Sequence, residues 1–100
     1  MSVEFKKSPW KNKKLVATFY NKEDVKTKSI HFGDSRYSDY TTTGDIEQRK
    51  RYLLRSRNPT LWKSPYNASS LARWILWGSS RSKKENMKLF SKRFKLNLKK

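Results

Sequence analysis

One hundred residues carry 25 Lys and Arg against eight Asp and Glu, a formal net charge of +17, which describes one small and very basic domain. The absence of cysteine excludes disulfides, thiolate nucleophiles and Cys-ligated metal centres, and makes an intracellular home the simpler expectation. No apolar stretch exceeds the WILW of Trp74–Trp77, so the sequence offers neither a membrane span nor the core of a signal peptide.

Leu, Ile, Val and Phe together number 20, which at this charge lies on the border of disorder. Four Trp and five Tyr supply the large buried areas that favour a folded core flanked by basic tails. Residues 1–12, with Lys6, Lys7, Lys11 and the Ser8-Pro9 break, read as a basic arm that Phe5 and Trp10 could anchor. A single small domain is then expected over 13–98. KKLVATFY (Lys13–Tyr20) and VKTKSIHF (Val25–Phe32) alternate apolar and polar residues around NKED, which predicts a hairpin over 13–32 with a four-residue loop. Ile30 and Phe32 share one face with Lys26 and Lys28, and His31 lies on the other.

After the turn-rich GDSRYSDY (Gly33–Tyr40), Thr42 and Asp45 have capping-box spacing ahead of a helix over about 44–57, stopped by Asn58-Pro59. Ile46, Leu53 and Leu54 are its expected core stripe, with Lys50 and Arg57 snorkelling within the same arc. Ser64-Pro65 and Gly78 bracket a helix over 65–77, whose Ala68, Leu71, Ala72, Ile75 and Leu76 repeat at helical spacing. Arg73 and Trp77 fall opposite that stripe. Ser82 and Glu85 open a basic amphipathic helix over 83–96, with Met87, Phe90, Phe94 and Leu98 aligned. The expected class is α+β, an N-terminal antiparallel hairpin packed on two or three short helices.

Chemistry-bearing residues are scarce. His31 with Asp34 or Asp39, near Ser35 or Ser38, could form a base and its orienter, but a lone histidine between Ile30 and Phe32 on a strand is better read as structural. Asp34, Asp39 and Asp45 have a spacing that matches no hard-cation loop, and the three glycines form no phosphate-cradling motif. No metal, cofactor or small-molecule substrate is expected. What remains is cations interleaved with aromatics, concentrated in the second half: residues 51–100 hold 14 basic groups and one acidic, against 11 and 7 in residues 1–50. The candidate nucleic-acid-binding residues are Arg49, Lys50, Arg51, Arg55, Arg57, Lys63, Arg73, Trp77, Arg81, Lys83, Lys84, Lys88 and Lys92. Trp77 would stack on bases if exposed, whereas a helix packed between hairpin and helices would bury it together with Trp74.

HFG (His31–Gly33), SDYT (Ser38–Thr41), Asp45, RKRYLLR (Arg49–Arg55), Trp62, Pro65 and LARWILW (Leu71–Trp77) together resemble a family of small, basic, uncharacterised proteins encoded by large nucleocytoplasmic DNA viruses. The resemblance covers about half the chain and implies a viral source and a virion or viral-factory setting, in the cytoplasm or nucleus of an infected host. Thr43 and Ser56 stand where that family carries histidine, so any site those histidines serve is absent from this sequence.

These readings converge on a non-enzymatic, sequence-independent binder of nucleic acid, DNA before RNA and double-stranded first, that neutralises or condenses a viral genome or accompanies it in the particle. The alternative is a minor capsid or internal scaffold protein whose basic arms bind acidic partners among the virion proteins. A third reading, peripheral binding to anionic lipid through the last helix, rests on the amphipathic pattern alone.

Overall fold

A computed structural model describes residues 1–99 as an α+β fold. Its four-stranded sheet contains β1 (Ser2–Lys7), β2 (Lys13–Tyr20), β3 (Lys26–Asp34) and the short β4 (Asn97–Leu98), in the order β3-β2-β1-β4. The expected hairpin is β2 and β3. They pair antiparallel with Leu15 opposite Phe32 and Ala17 opposite Ile30, and the Asn21 side chain closes the loop by accepting from the backbone of Glu23 and Val25.

Residues 2–7 are not part of an arm. They form an inner strand, antiparallel to β2 with Val3 opposite Phe19 and Phe5 opposite Ala17. The cause is visible in SVEFKK: Val3 and Phe5 alternate with Glu4 and Lys6, so one face is apolar although the segment is basic. β4 lies parallel to the other side of β1 and is fixed by Asn97 N–H on the Met1 carbonyl and Lys99 N–H on the Val3 carbonyl.

The helices are shorter than their periodicity predicts. The expected 44–57 helix is α2 (Ile46–Arg55), and ahead of it stands an unexpected single turn, α1 (Tyr40–Thr43), separated from α2 by Gly44 with φ +66°. That left-handed conformation, which glycine adopts without strain, ends α1. Asp39 caps α1 through the Thr41 N–H, and Asp45 caps α2 through the Gln48 N–H. Asn58-Pro59 does stop α2, yet the same pair opens the single turn α3 (Pro59–Trp62), with Asn58 as cap and proline in its first turn.

The expected 65–77 helix starts late. Asn67, rather than Ser64, caps α4 (Ala68–Leu71) by accepting the Ser70 N–H at 2.8 Å. α4 runs directly into a π-helical turn, Ala72–Leu76, closed by Trp77 N–H on the Ala72 carbonyl at 3.0 Å. α5 (Lys83–Arg93) is capped by Ser82 as its spacing predicts, but it ends before 96, and Leu98 belongs to β4.

The core lies between one sheet face and the α4, π-turn and α5 layer. It consists of Val3, Ala17, Phe19, Phe32, Leu71, Ile75, Leu76, Trp77, Phe90 and Leu96. Burying side chains of this size stabilises by roughly 1.5–3 kcal/mol each. α2 contributes only a flank: it has no fully buried residue, Ile46 is 54% exposed and Leu54 77%. Two of the three residues of the predicted core stripe thus face solvent while Leu53 is half-buried, and Tyr52 makes the core contact, stacked on Trp77 with ring centroids 4.3 Å apart.

Candidate nucleic-acid interface

Most of the nominated cations stand in solvent. Lys50, Arg51, Arg55, Arg57, Lys63, Arg81, Lys84, Lys88 and Lys92 are exposed, and Lys83 is half-buried. Among the described residues there are five ion pairs, and only Lys50 with Glu47, 3.6 Å apart, involves a nominated residue. The rest of the set keeps its charge uncompensated by carboxylates.

Trp77 is a correction. It is 9% exposed and belongs to the core, so it presents no ring to a base. An α-helical wheel puts it opposite the apolar stripe, but the π turn inserts one extra residue, which resets the phase by about 100° and swings Trp77 inward. Gly78 follows because the backbone is too close for anything larger: a Cβ there would meet the Trp74 carbonyl at 2.3 Å and Asn86 at 2.8 Å. Asn86, buried on α5, clamps this loop. Its amide donates to the Ile75 and Ser80 carbonyls at 2.8 and 2.7 Å and accepts the Ser80 N–H at 3.1 Å.

Arg49 and Arg73 also depart from the expectation of a free surface, since both are half-buried. Arg49 Nε donates to the Trp77 and Gly78 carbonyls at 3.1 and 3.0 Å, and Arg73 Nη1 donates to the same Trp77 carbonyl at 3.0 Å. The Arg73 guanidinium lies 4.1 Å from the Trp74 ring centroid, and that of Arg93 lies 3.7 Å from it. Shared partners thus draw three guanidiniums together. With Lys92 they line a cleft of about 680 Å3 between the π turn and α5, which Trp74, Gly78, Asn86 and Phe90 also line. Burial, followed by the neighbouring Arg49 and Arg93 charges, lowers the Arg73 pKa to about 10. The like charges of Arg49 and Arg93 disfavour the Arg73 cation, so the cluster carries a standing electrostatic cost.

Arg93 was missing from the sequence reading. The signal for it is the face Asn86–Phe90–Arg93, spaced i, i+4, i+7 along α5, which the Met87–Phe90–Phe94 stripe obscures. A second cationic groove was also missed, because the charge count drew the candidate set to Arg49–Lys92. Lys7, Lys11, Lys13 and Lys14 line it together with Lys83, around a volume of about 600 Å3. Of these, Lys14 is tied to the buried Asp39 carboxylate.

His31 does meet a serine, though not an expected one. Ser8 Oγ lies 2.7 Å from His31 Nδ1, and Trp10 stacks on the imidazole with centroids 3.5 Å apart. Ser8 is buried and its oxygen also accepts the Trp10 N–H, so this trio pins the β1–β2 turn to β3. No three His, Asp or Glu side chains gather as a metal site among the described residues, and no helix there is long and apolar enough to cross a membrane.

No curated protein and no solved structure matches the chain. Residues 3–56, from β1 to the end of α2 with the Arg49 side of the cleft, match the Family of unknown function (DUF5754), and over this majority of its length the protein belongs to that family.

Proposed function

We propose that this protein is a non-enzymatic, sequence-independent binder of nucleic acid, with double-stranded DNA as its first partner, and that it neutralises or accompanies a viral genome in the particle. The observation that carries the reading is the exposed and largely unpaired set running from Lys50 through Arg51, Arg55, Arg57 and Lys63 to Arg81, Lys84, Lys88 and Lys92. Phosphates attract such cations and release counterions on contact, with no need for base-specific geometry. Trp77 takes no part, and the affinity rests on phosphates alone. If about 8 phosphates of a duplex are contacted, the logarithm of the binding constant falls against the logarithm of salt concentration with a slope near −7. Fluorescence anisotropy on a labelled duplex from low to moderate salt measures that slope, and a value near −1 would overturn the electrostatic mechanism.

One observation favours a second reading, a minor capsid or scaffold protein. Ile46, Leu54 and Leu61 are exposed on and beside α2, a surface that a protein partner would bury and DNA would not. That reading predicts weak, easily competed DNA binding and co-purification with shell proteins after nuclease treatment.

A further inference from the structure

We propose that the cleft between the π-helical turn and α5 is a discrete site for one phosphate group, held by Arg49, Arg73 and Arg93. All three line the same cleft, and none belongs to any of the five ion pairs among the described residues. Among the described residues their only partners are the Trp77 and Gly78 carbonyls and the rings of Tyr40, Trp62 and Trp74. Most of their N–H groups therefore remain available. The Nε–H of Arg73 is enclosed and has no acceptor at all, an unusual state for a buried donor. Grouped like charges of this kind call for an anion.

The chemistry of the donors narrows the choice. Guanidinium forks match phosphate oxygens in paired hydrogen bonds, and three converging cations with Lys92 at the rim favour a multiply charged tetrahedral group over a single carboxylate. The Trp74 ring already packs against two guanidiniums, so it orients the arginines rather than stacking on a base. The ligand is recognised through its phosphate and not through an aromatic moiety. Two sources offer that chemistry, a backbone phosphodiester of nucleic acid or a free phosphorylated small molecule. Only the first rests on the function proposed above.

The test is a calorimetric titration of the full chain with pyrophosphate at moderate salt, beside a duplex DNA titration, on the wild type and on Arg93→Gln and Lys22→Gln. Arg93 makes no side-chain hydrogen bond among the described residues, so its replacement leaves the fold's bonds in place, which a thermal melt checks. Lys22 is an exposed cation in the β2–β3 loop. The site predicts one equivalent of pyrophosphate, amide shifts at Gly78 and Ser79, and roughly tenfold weaker binding in Arg93→Gln, with Lys22→Gln unchanged. Equal losses in the two variants, or binding that never saturates at one equivalent, overturn it. If Arg93→Gln weakens DNA as well, the phosphate is that of the backbone; if DNA binding is unaffected, it is that of a small molecule. Pyrophosphate binding without DNA binding overturns the nucleic-acid function and leaves the site standing. DNA binding without pyrophosphate binding, insensitive to Arg93→Gln, does the reverse.

Discussion

Asn86 uses all of its amide in the fold: two N–H bonds to carbonyls and one accepted from the Ser80 N–H, at a wholly buried position. Such complete satisfaction is what allows a polar side chain to sit against Ile75 and Phe90 without a desolvation penalty. At the surface, Asp34 shows the opposite regime. The Arg36 side chain and backbone hydrogen-bond its carboxylate and, with little opposing burial, lower its pKa from 3.8 to about 2. Because the folded value is the depressed one, the interaction is fully present above the ordinary carboxylate range and is lost as pH falls through about 2. An NMR titration of the Asp34 carboxyl is expected to show a midpoint near 2, and Arg36→Gln is expected to raise it; a midpoint unmoved by that substitution would break the assignment. Single residues were legible in the sequence only where their element was. Strand alternation puts Ile30 and Phe32 on one face, and that face packs on the core because alternation is rigid. Trp77 was misplaced because one π turn shifts everything after it, and no composition signal marks that turn.

At the scale of elements, α2 separates appearance from anchoring. Two of its three aliphatic residues, Ile46 and Leu54, face solvent, and Tyr52 with Arg49 holds it to the core. Tyr52→Ala removes an aromatic stack and its buried area and is expected to cost about 2 kcal/mol, whereas Ile46→Ser and Leu54→Ser are expected to stay within about 0.5 kcal/mol. Urea melts of the three variants check the contrast, and a larger loss at Leu54 than at Tyr52 would refute it. The β2–β3 hairpin was readable from its polar loop and alternating flanks. β1 was not, because Lys6 and Lys7 outweighed the Val3–Phe5 alternation, although the cations simply occupy the outer positions. Three helices were found but lengthened, since the expected starts at Gly44 and Pro65 precede the true first turns at Ile46 and Ala68, which Asp45 and Asn67 cap, and the single turns α1 and α3 were not foreseen. The candidate site was legible as a region. The inward arginines could not be separated from the outward ones without knowing the phase of α5 and of the π turn.

Over the whole molecule, +17 on one hundred residues sets a self-repulsion against a thin core. An anion that binds the folded state stabilises it by mass action, about 2.7 kcal/mol at a hundredfold excess over its dissociation constant. For a domain of this size that is a rise of roughly 10 °C or more in melting temperature. Differential scanning fluorimetry with and without duplex DNA measures it, and identical melting curves would remove the polyanion as a folding partner.

The parallel pairing of β4 with β1 also orders events in time. β1 is made long before β4, and its outer edge bonds no other strand among the described residues, so the Met1 and Val3 carbonyls wait for Asn97 and Lys99. A nascent chain therefore presents an open strand edge until β4 has been made. Lys6 and Lys7 lie beyond the Ser2–Val3 stretch that β4 covers, so their charges guard against a second chain both in this interval and along the part of the edge that stays open after folding.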